Sequence, residues 1–202
     1  WCIGRESSPG AGMIAALTGG TVGWLPYLGG MAYVEHGMLF FGALALAVLV
    51  RAFSKSAPRQ YHCLWIALSG VFAGLACGCK YPAVAMFVLP LFAAVLILGT
   101  GVWSTRLRHG CLFLATSALA FSPWLVRNLA WTGNPIFPLA NSVFRAAPPG
   151  WGVEEDERWA QGHAPAAQDT DALGRAKLLW LRTLGDPMQR FGPVVLTVPL
   201  LL

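Results

Sequence analysis

Lys80 has the most unusual setting of any residue in the sequence that could do chemistry. It is the only Asp, Glu, Lys or Arg between Arg59 and Arg106. A charge costs about 2.5–3.5 kcal/mol at the centre of a membrane helix. We therefore expect Lys80 in a turn at one membrane face, or in a polar pocket that opens there. An ammonium group in that place suits a phosphate, or it extends its charge into water as an ordinary turn residue.

Four further residues could take part in binding. Glu35 and His36 begin an apolar run, and carboxylate with imidazole suits Mg, Mn or Zn; a carboxylate is also favourable at a helix start without any such role. Tyr81 follows Lys80 and is typical of the membrane interface. Arg127 ends another apolar run, where it could bind a phosphate or cap the helix. The turn signal Gly-Asn-Pro at 133–135 follows.

The composition defines the class of protein. Hydrophobic residues make up 56% of the chain and charged residues 11%, against about 25% charged in a soluble domain. The net charge is +5, yet the basic residues form no stripe with aromatic partners, so we expect no nucleic-acid partner. The five cysteines lack the spacing of a zinc site. The composition is that of a multi-spanning membrane protein.

The apolar runs predict an all-α, polytopic transmembrane helical bundle. Membrane-spanning helices need about 20 mostly apolar residues. Five complete spans are expected, followed by a truncated sixth that begins near 191–202. The five spans cover about 10–30, 37–53, 61–79, 82–100 and 110–126. In the third, glycines at 70, 74 and 78 share one face, which favours close helix packing.

Basic residues in the short loops predict the orientation. The loop with Arg51, Lys55 and Arg59 and the loop with Arg106, Arg108 and His109 are expected to be cytoplasmic. Residues 35–36, 80–81 and 127–190 then lie on the other face, which makes the functional face extracytoplasmic.

The segment 139–190 is predicted to be an extracytoplasmic loop. Residues 148–171 have the polar composition of a loop. Residues 172–186 have the apolar periodicity of a short amphipathic helix on the membrane surface. The chain begins at Trp1 and ends within an apolar run, so we expect an internal fragment of a larger protein.

Five segments carry a resemblance to a known family. They are GRESSPGAGMIAAL, AYVEHGMLFFGALAL, GVFAGLACGCKYPA, SPWLVRNLAWTGNPIFP and FGPVVLTVPLLL. Their order and spacing resemble membrane glycosyltransferases of the GT-C superfamily, in the bacterial GT39 (RgtA-D-like) group related to the aminoarabinose and protein mannosyl transferases. The segment from about 140 to 185 has no counterpart in the resemblance.

The resemblance implies a sugar transfer from a polyprenyl-phosphate donor to a glycan, lipid or protein acceptor, in the bacterial inner membrane. Lys80 matches a lysine that contacts the lipid phosphate. Arg127 matches the arginine of the family's PW…RN segment, where it could bind a phosphate or serve in packing. Glu35 takes the place of an acidic residue that supports a divalent metal or the acceptor. The principal catalytic acid is expected upstream of this chain.

Two other classes of protein fit the same features. A transporter or flippase for a lipid-linked or anionic substrate would also place charges near helix ends, with a repeat and broken helices near the bilayer midplane. No convincing internal repeat is visible in the sequence. A non-catalytic membrane assembly protein would tolerate replacement of Lys80 and Glu35.

Overall fold

The computed structural model describes residues 33–54, 57–164 and 171–183, together with residues 10, 12, 13 and 30. Every regular element within these ranges is helical, and they contain no strand. The predicted all-α class is therefore confirmed for the described part. The predicted spans at 10–30 and from 191 onwards lie outside the described residues, apart from the four isolated positions.

Seven α-helices follow one another along the described chain. Three are long and apolar enough to cross a membrane. These are α1 (Glu35–Phe53), α2 (His62–Cys79) and α4 (Trp103–Thr132), whereas α3 (Leu89–Leu98), α5 (Asn141–Phe144), α6 (Val153–His163) and α7 (Ala172–Thr183) are shorter. The described residues form two compact units, one that ends at Phe121 and one that begins at Ser122.

Helices α1 and α2 pack against each other in antiparallel orientation. The start of α1 meets the end of α2 through Glu35 and Lys80, and their middles meet where the Ser69 hydroxyl donates to the Ala45 carbonyl at 2.8 Å. The buried residues of α1 alternate spacings of four and three, as in left-handed helix packing. These residues are Met38, Gly42, Ala45, Leu49 and Ala52.

Two glycines of α2 allow α4 to approach it closely. A Cβ atom added at Gly70 would lie 2.1 Å from Thr116 Oγ1, and one at Gly74 would lie 2.1 Å from the Ser117 carbonyl oxygen. The prediction of close packing is thus confirmed at these two positions. At Gly78 an added Cβ would meet no described atom within 4 Å, so close packing at that position stays a prediction.

The apolar stretch 82–100 is interrupted near its start. A π-helical segment, Val84–Val88, precedes α3. Pro90 lies in the first turn of α3, and it has no N–H for the carbonyl four residues before it. The continuous apolar helix Val84–Leu98 is shorter than the three helices that are long enough to cross a membrane. A spanning helix needs about 20 residues. A crossing by this stretch stays a prediction, and the count of five spans is not confirmed.

Helix α4 is longer than the sequence predicts. It begins at Trp103 and continues through Pro123 to Thr132, for 30 residues. The prediction of a loop around Arg106 and His109 is therefore wrong. The Arg106 guanidinium donates to the Leu96 and Ile97 carbonyls at 3.4 and 3.3 Å, which satisfies acceptors at the end of α3 that lack helical partners.

Helix α6 forms where the composition predicts a loop. The Glu155 carboxylate accepts from the Gly152 N–H at 2.9 Å, and Arg158 pairs with Glu155 at 2.9 Å and Glu154 at 3.6 Å. Acidic groups in the first turn also favour the positive end of the helix. These polar interactions stabilise α6 even though its sequence lacks an apolar periodicity. The predicted helix near 172–186 is confirmed as Ala172–Thr183.

The contact of α2 with α4 predicts opposite effects of two glycine substitutions. We expect Gly74→Ala to lower stability by about 1–3 kcal/mol, because the added methyl group must displace the α4 backbone. Gly78→Ala is the matched control and should be neutral or slightly stabilising, since alanine favours the helix more than glycine does. Thermal unfolding of the purified protein in detergent measures both. Equal midpoints for the two variants would contradict the packing.

Candidate functional site

A polar site in the described part of the first unit lies where α1 begins and α2 ends. Lys80 follows the last residue of α2 with an extended backbone, and its N–H donates to the Ala76 carbonyl at 3.2 Å. Its Nζ atom donates to Glu35 Oε1 and forms an ion pair. The sequence predicts both residues at the same membrane face, and the structure brings their side chains into contact.

The ion pair is open to solvent, with 45% of the Lys80 side chain and 23% of the Glu35 side chain exposed. Pairs of this kind contribute roughly 0–1 kcal/mol to stability. The ion pair therefore contributes little to the association of α1 with α2. The buried residues between the two helices stabilise that association. The effect of the ion pair is to hold an ammonium and a carboxylate side by side at the helix ends.

Two atoms of this site lack hydrogen-bond partners. Glu35 Oε2 and His36 Nδ1 are buried, and neither finds a partner among the described residues. Buried polar atoms of folded proteins nearly always have a partner. We therefore regard this pair as the part of the site with free capacity to bind a hydroxyl, an amide or a water molecule.

Glu35 and His36 are the side chains of this site that could contribute to a divalent-metal site, and a metal bound there stays a prediction. No group of three or more His, Cys, Asp or Glu side chains in the described ranges could hold a metal ion. A zinc site takes three or four protein ligands, so Glu35 and His36 fall short. Mg or Mn could use one carboxylate with substrate phosphates, and Glu35 Oε2 has no partner among the described residues.

Tyr81 lies beside this site and packs on α4. Its ring meets the edge of Phe121 at a centroid distance of 6.1 Å. The ring is half-buried, which agrees with an anchoring position at the end of the helices. A role of Tyr81 in binding a lipid phosphate stays a prediction.

Arg127 belongs to the second unit and lies within α4, five residues before its end. The structure thus corrects its predicted place at the end of a span. The guanidinium lies 4.9 Å from the ring centre of Trp124 and 4.1 Å from that of Trp131. Cation–π contacts of this kind hold the planar group by its face, so its N–H edge keeps the geometry that binds phosphates.

A polar network that the sequence analysis missed orders the second unit. Asn134 is fully buried and donates to the Leu139 carbonyl at 2.7 Å and to Asn141 Oδ1 at 2.8 Å. Asn141 in turn donates to Asp156 at 2.6 Å, and Trp151 donates to the same carboxylate oxygen at 2.9 Å. The predicted turn is confirmed, since α4 ends at Thr132 and positive φ follows at the glycine of the Gly-Asn-Pro signal.

A second group of titratable side chains lies at the other end of α2. The His62 and His109 rings are 4.8 Å apart, and Cys63 Sγ lies 3.7 Å from His109 Nε2. The sequence analysis placed His109 in a basic loop and so missed this group. A His-Cys pair at the start of one helix and a histidine near the start of another were the available signals.

Comparisons of the chain with models of known families, with curated proteins and with solved structures find no match.

The network around Asp156 predicts a loss of local stability in acid. Hydrogen bonds from Trp151 and then Asn141 lower the pKa of the Asp156 carboxyl. A lowered pKa in the folded state means that this contribution is present above the unfolded pKa of about 3.9 and is lost as pH falls through the folded pKa. Hydrogen exchange of residues 141–163 should therefore accelerate as pH falls below about 4, after correction for the intrinsic exchange rate.

The control for this experiment is Asp156→Asn, which has the same shape and no titrating proton. We expect its corrected exchange to be faster than wild type at pH 7 and to change less in acid. Identical pH profiles for the two proteins would show that Asp156 does not stabilise this unit.

Proposed function

We propose that this chain acts in a membrane glycosyltransferase, which moves a sugar from a polyprenyl-phosphate donor to an acceptor on the extracytoplasmic face. The observation that carries the proposal is the site of Lys80 and Glu35 at the ends of α1 and α2, with unpartnered Glu35 Oε2 and His36 Nδ1 beside it among the described residues. The five segments that resemble the GT-C family support the choice of donor.

Lys80 would act on the phosphate of the donor. When the bond between the sugar and the phosphate breaks, negative charge develops on the phosphate oxygen that leaves. A cation held at that oxygen stabilises the charge more in the transition state than in the bound donor. Glu35 holds the ammonium in place before the donor arrives, and the exposed half of the Lys80 side chain leaves room for the phosphate.

Glu35 and His36 would contact the acceptor. The free Oε2 atom of Glu35 can accept a hydrogen bond from an acceptor hydroxyl, and His36 Nδ1 offers a second polar contact. Such contacts orient the attacking oxygen towards the sugar carbon, an effect that can contribute strongly to the rate.

Arg127 would bind a phosphate within the second unit. Its guanidinium is held between Trp124 and Trp131, and both tryptophans suit the membrane interface. Tyr81 would anchor the end of α2 at the same depth as the lipid headgroups.

The proposed location is the bacterial inner membrane, with the Glu35 end of α1 outside the cytoplasm. The opposite helix ends contain Arg51, Arg106 and Arg108. Basic residues near the ends of membrane helices favour the cytoplasmic side. The site for the lipid-linked donor then faces the compartment where envelope glycans are completed.

A transporter for a lipid-linked or anionic substrate is the second candidate, and one observation favours it. The π-helical segment Val84–Val88 interrupts an apolar helix, and transporters often build substrate sites from broken helices. Pro90 accounts for this irregularity without a substrate. The charged residues in the described part of the first unit also lie near helix ends and not near the middle, which favours the transferase.

Loss of the Lys80 charge should remove most of the sugar transfer. We expect Lys80→Met in the full-length natural gene product to lower kcat/KM at least about tenfold, because a hydrogen bond to a charged group contributes roughly 1.5–3 kcal/mol. Lys177→Met, which removes an exposed lysine of α7, is the matched control and should keep full activity. The assay uses membranes that receive a radiolabelled polyprenyl-phosphate sugar.

Expression and detergent stability of each variant must match the wild type before rates are compared. Unchanged transfer in Lys80→Met would contradict the phosphate site. Movement of the donor lipid across the bilayer without any transfer in the wild type would support the transporter instead.

A further inference from the structure

The part of α4 that belongs to the second unit carries one charge, at Arg127. In the sequence, Arg127 is the first Asp, Glu, Lys or Arg after Arg108. Helix α4 is long and apolar enough to cross a membrane, and a crossing needs about 20 mostly apolar residues. When α4 crosses the bilayer, Arg127 therefore lies at the level where the apolar lipid chains end and the headgroups begin.

Two tryptophans hold the guanidinium of Arg127. Trp124 precedes it by three residues and Trp131 follows it by four, so all three side chains share one face of α4. The guanidinium carbon lies 4.9 Å from the ring centre of Trp124 and 4.1 Å from that of Trp131. The Trp131 residue is 67% exposed, and an indole ring on an open helix face is typical of the interface between lipid and water.

Arg127 has these two aromatic contacts and no acidic partner. Among the described residues it forms no ion pair and no hydrogen bond. The carboxylates of Glu154 and Glu155 pair with Arg158 instead. The indole rings thus restrict the guanidinium without using its N–H donors for hydrogen bonds. A guanidinium held in this way presents a planar fork of donors that matches the oxygens of a phosphate.

An exposed apolar strip lies beside Arg127 on the same helix. Val126 is followed by Leu129 and Ala130 at spacings of three and four residues, which places them next to one another on the surface of α4. All three are exposed, Val126 by 62% and Leu129 by 52%. Contiguous exposed apolar surface marks a place of contact with a partner or a membrane. A cation beside such a strip is complementary to a lipid with an anionic headgroup.

We propose that Arg127 and the two tryptophans form a binding site for an anionic phospholipid of the bilayer. The guanidinium donates to the lipid phosphate, and the acyl chains cover Val126 and Leu129. This inference rests on the proposed function, since it specifies which phosphate Arg127 binds: that of a resident lipid and not that of the sugar donor. The bound lipid fixes the end of α4 at the membrane surface.

Phosphatidylglycerol fits this site better than a phospholipid with an ammonium headgroup does. Its headgroup is uncharged beyond the phosphate, so the phosphate oxygens are free to accept from Arg127. The ammonium of a zwitterionic lipid attracts the same phosphate and repels the guanidinium. The site therefore predicts a preference for phosphatidylglycerol over phosphatidylcholine.

Lipid binding to the purified full-length natural gene product tests the site without any measurement of sugar transfer. The protein in detergent is titrated with phosphatidylglycerol or with phosphatidylcholine of the same acyl chains, and native mass spectrometry gives the dissociation constant of the first bound lipid. We expect the wild type to prefer phosphatidylglycerol at least about fivefold, since hydrogen bonds between charged groups are the strong ones. Arg127→Gln should abolish the preference. Arg127→Lys should reduce it at least about twofold, because an ammonium lacks the planar fork.

Arg145→Gln is the matched control. It removes another exposed arginine of the second unit, one that has no tryptophan contact among the described residues, and it should keep the preference of the wild type. Thermal unfolding without added lipid checks the fold of each variant. If Arg127→Gln does not fold, Trp131→Leu replaces it, since loss of one exposed ring should also lower the preference at least about twofold.

Three results would overturn the proposal. The first is a wild type that binds both lipids equally, and the second is an unchanged preference in a folded Arg127→Gln protein. An equal loss in Arg145→Gln is the third, because it would reflect charge in general and not this site. Polyprenyl monophosphate is titrated in parallel. If it displaces the first phosphatidylglycerol from the wild type at a lower concentration than phosphatidylglycerol itself needs to bind, the site belongs to the donor, and the assignment to a bilayer lipid is wrong. The sugar-transfer proposal is judged separately, by the activity of Lys80→Met.

Discussion

The free-energy cost of a charge in hydrocarbon decides where the ionisable side chains of the first unit lie. Long apolar helices force these groups to the helix ends, and antiparallel packing of α1 and α2 then brings particular ends together. Glu35 at the start of α1 meets Lys80 at the end of α2. At the other end, His62 and Cys63 meet His109 of α4. Two polar sites follow from one constraint, separated by the length of a helix.

Close packing at small residues fixes the relative positions of the helices, so that side chains at their ends can form hydrogen bonds. Gly70 and Gly74 let the α4 backbone approach α2, and Ser69 ties the middle of α2 to α1. Such contacts drive helix association in a membrane, because lipid tails solvate apolar side chains as well as a protein does. The weak, exposed ion pair at the end then has a fixed geometry that it could not produce alone.

Much of the first unit could be predicted from hydropathy, since the limits of α1 and α2 fall within a few residues of the predicted spans. The common face of Glu35 and Lys80 follows from counting crossings. Their direct contact does not, because it depends on which helices become neighbours. Helix α6 could not be predicted from apolar periodicity, since ion pairs around Glu155 and Arg158 form it. The length of α4 was missed because Arg106 and Arg127 resemble residues that flank the ends of a membrane span.

The most direct test of the account asks whether the start of α1 and the end of α2 are neighbours in a membrane. A Cβ atom added at Gly37 would lie 3.9 Å from the Cβ of Cys79, close to the about 3.8 Å typical of disulfides. We predict that Gly37→Cys forms a disulfide with Cys79 in native membranes under mild oxidation, and that Gly37→Cys with Cys79→Ser forms none. Absence of the Gly37→Cys bond to Cys79 in an expressed, folded protein would contradict the helix pairing and the site of Glu35 and Lys80 built on it.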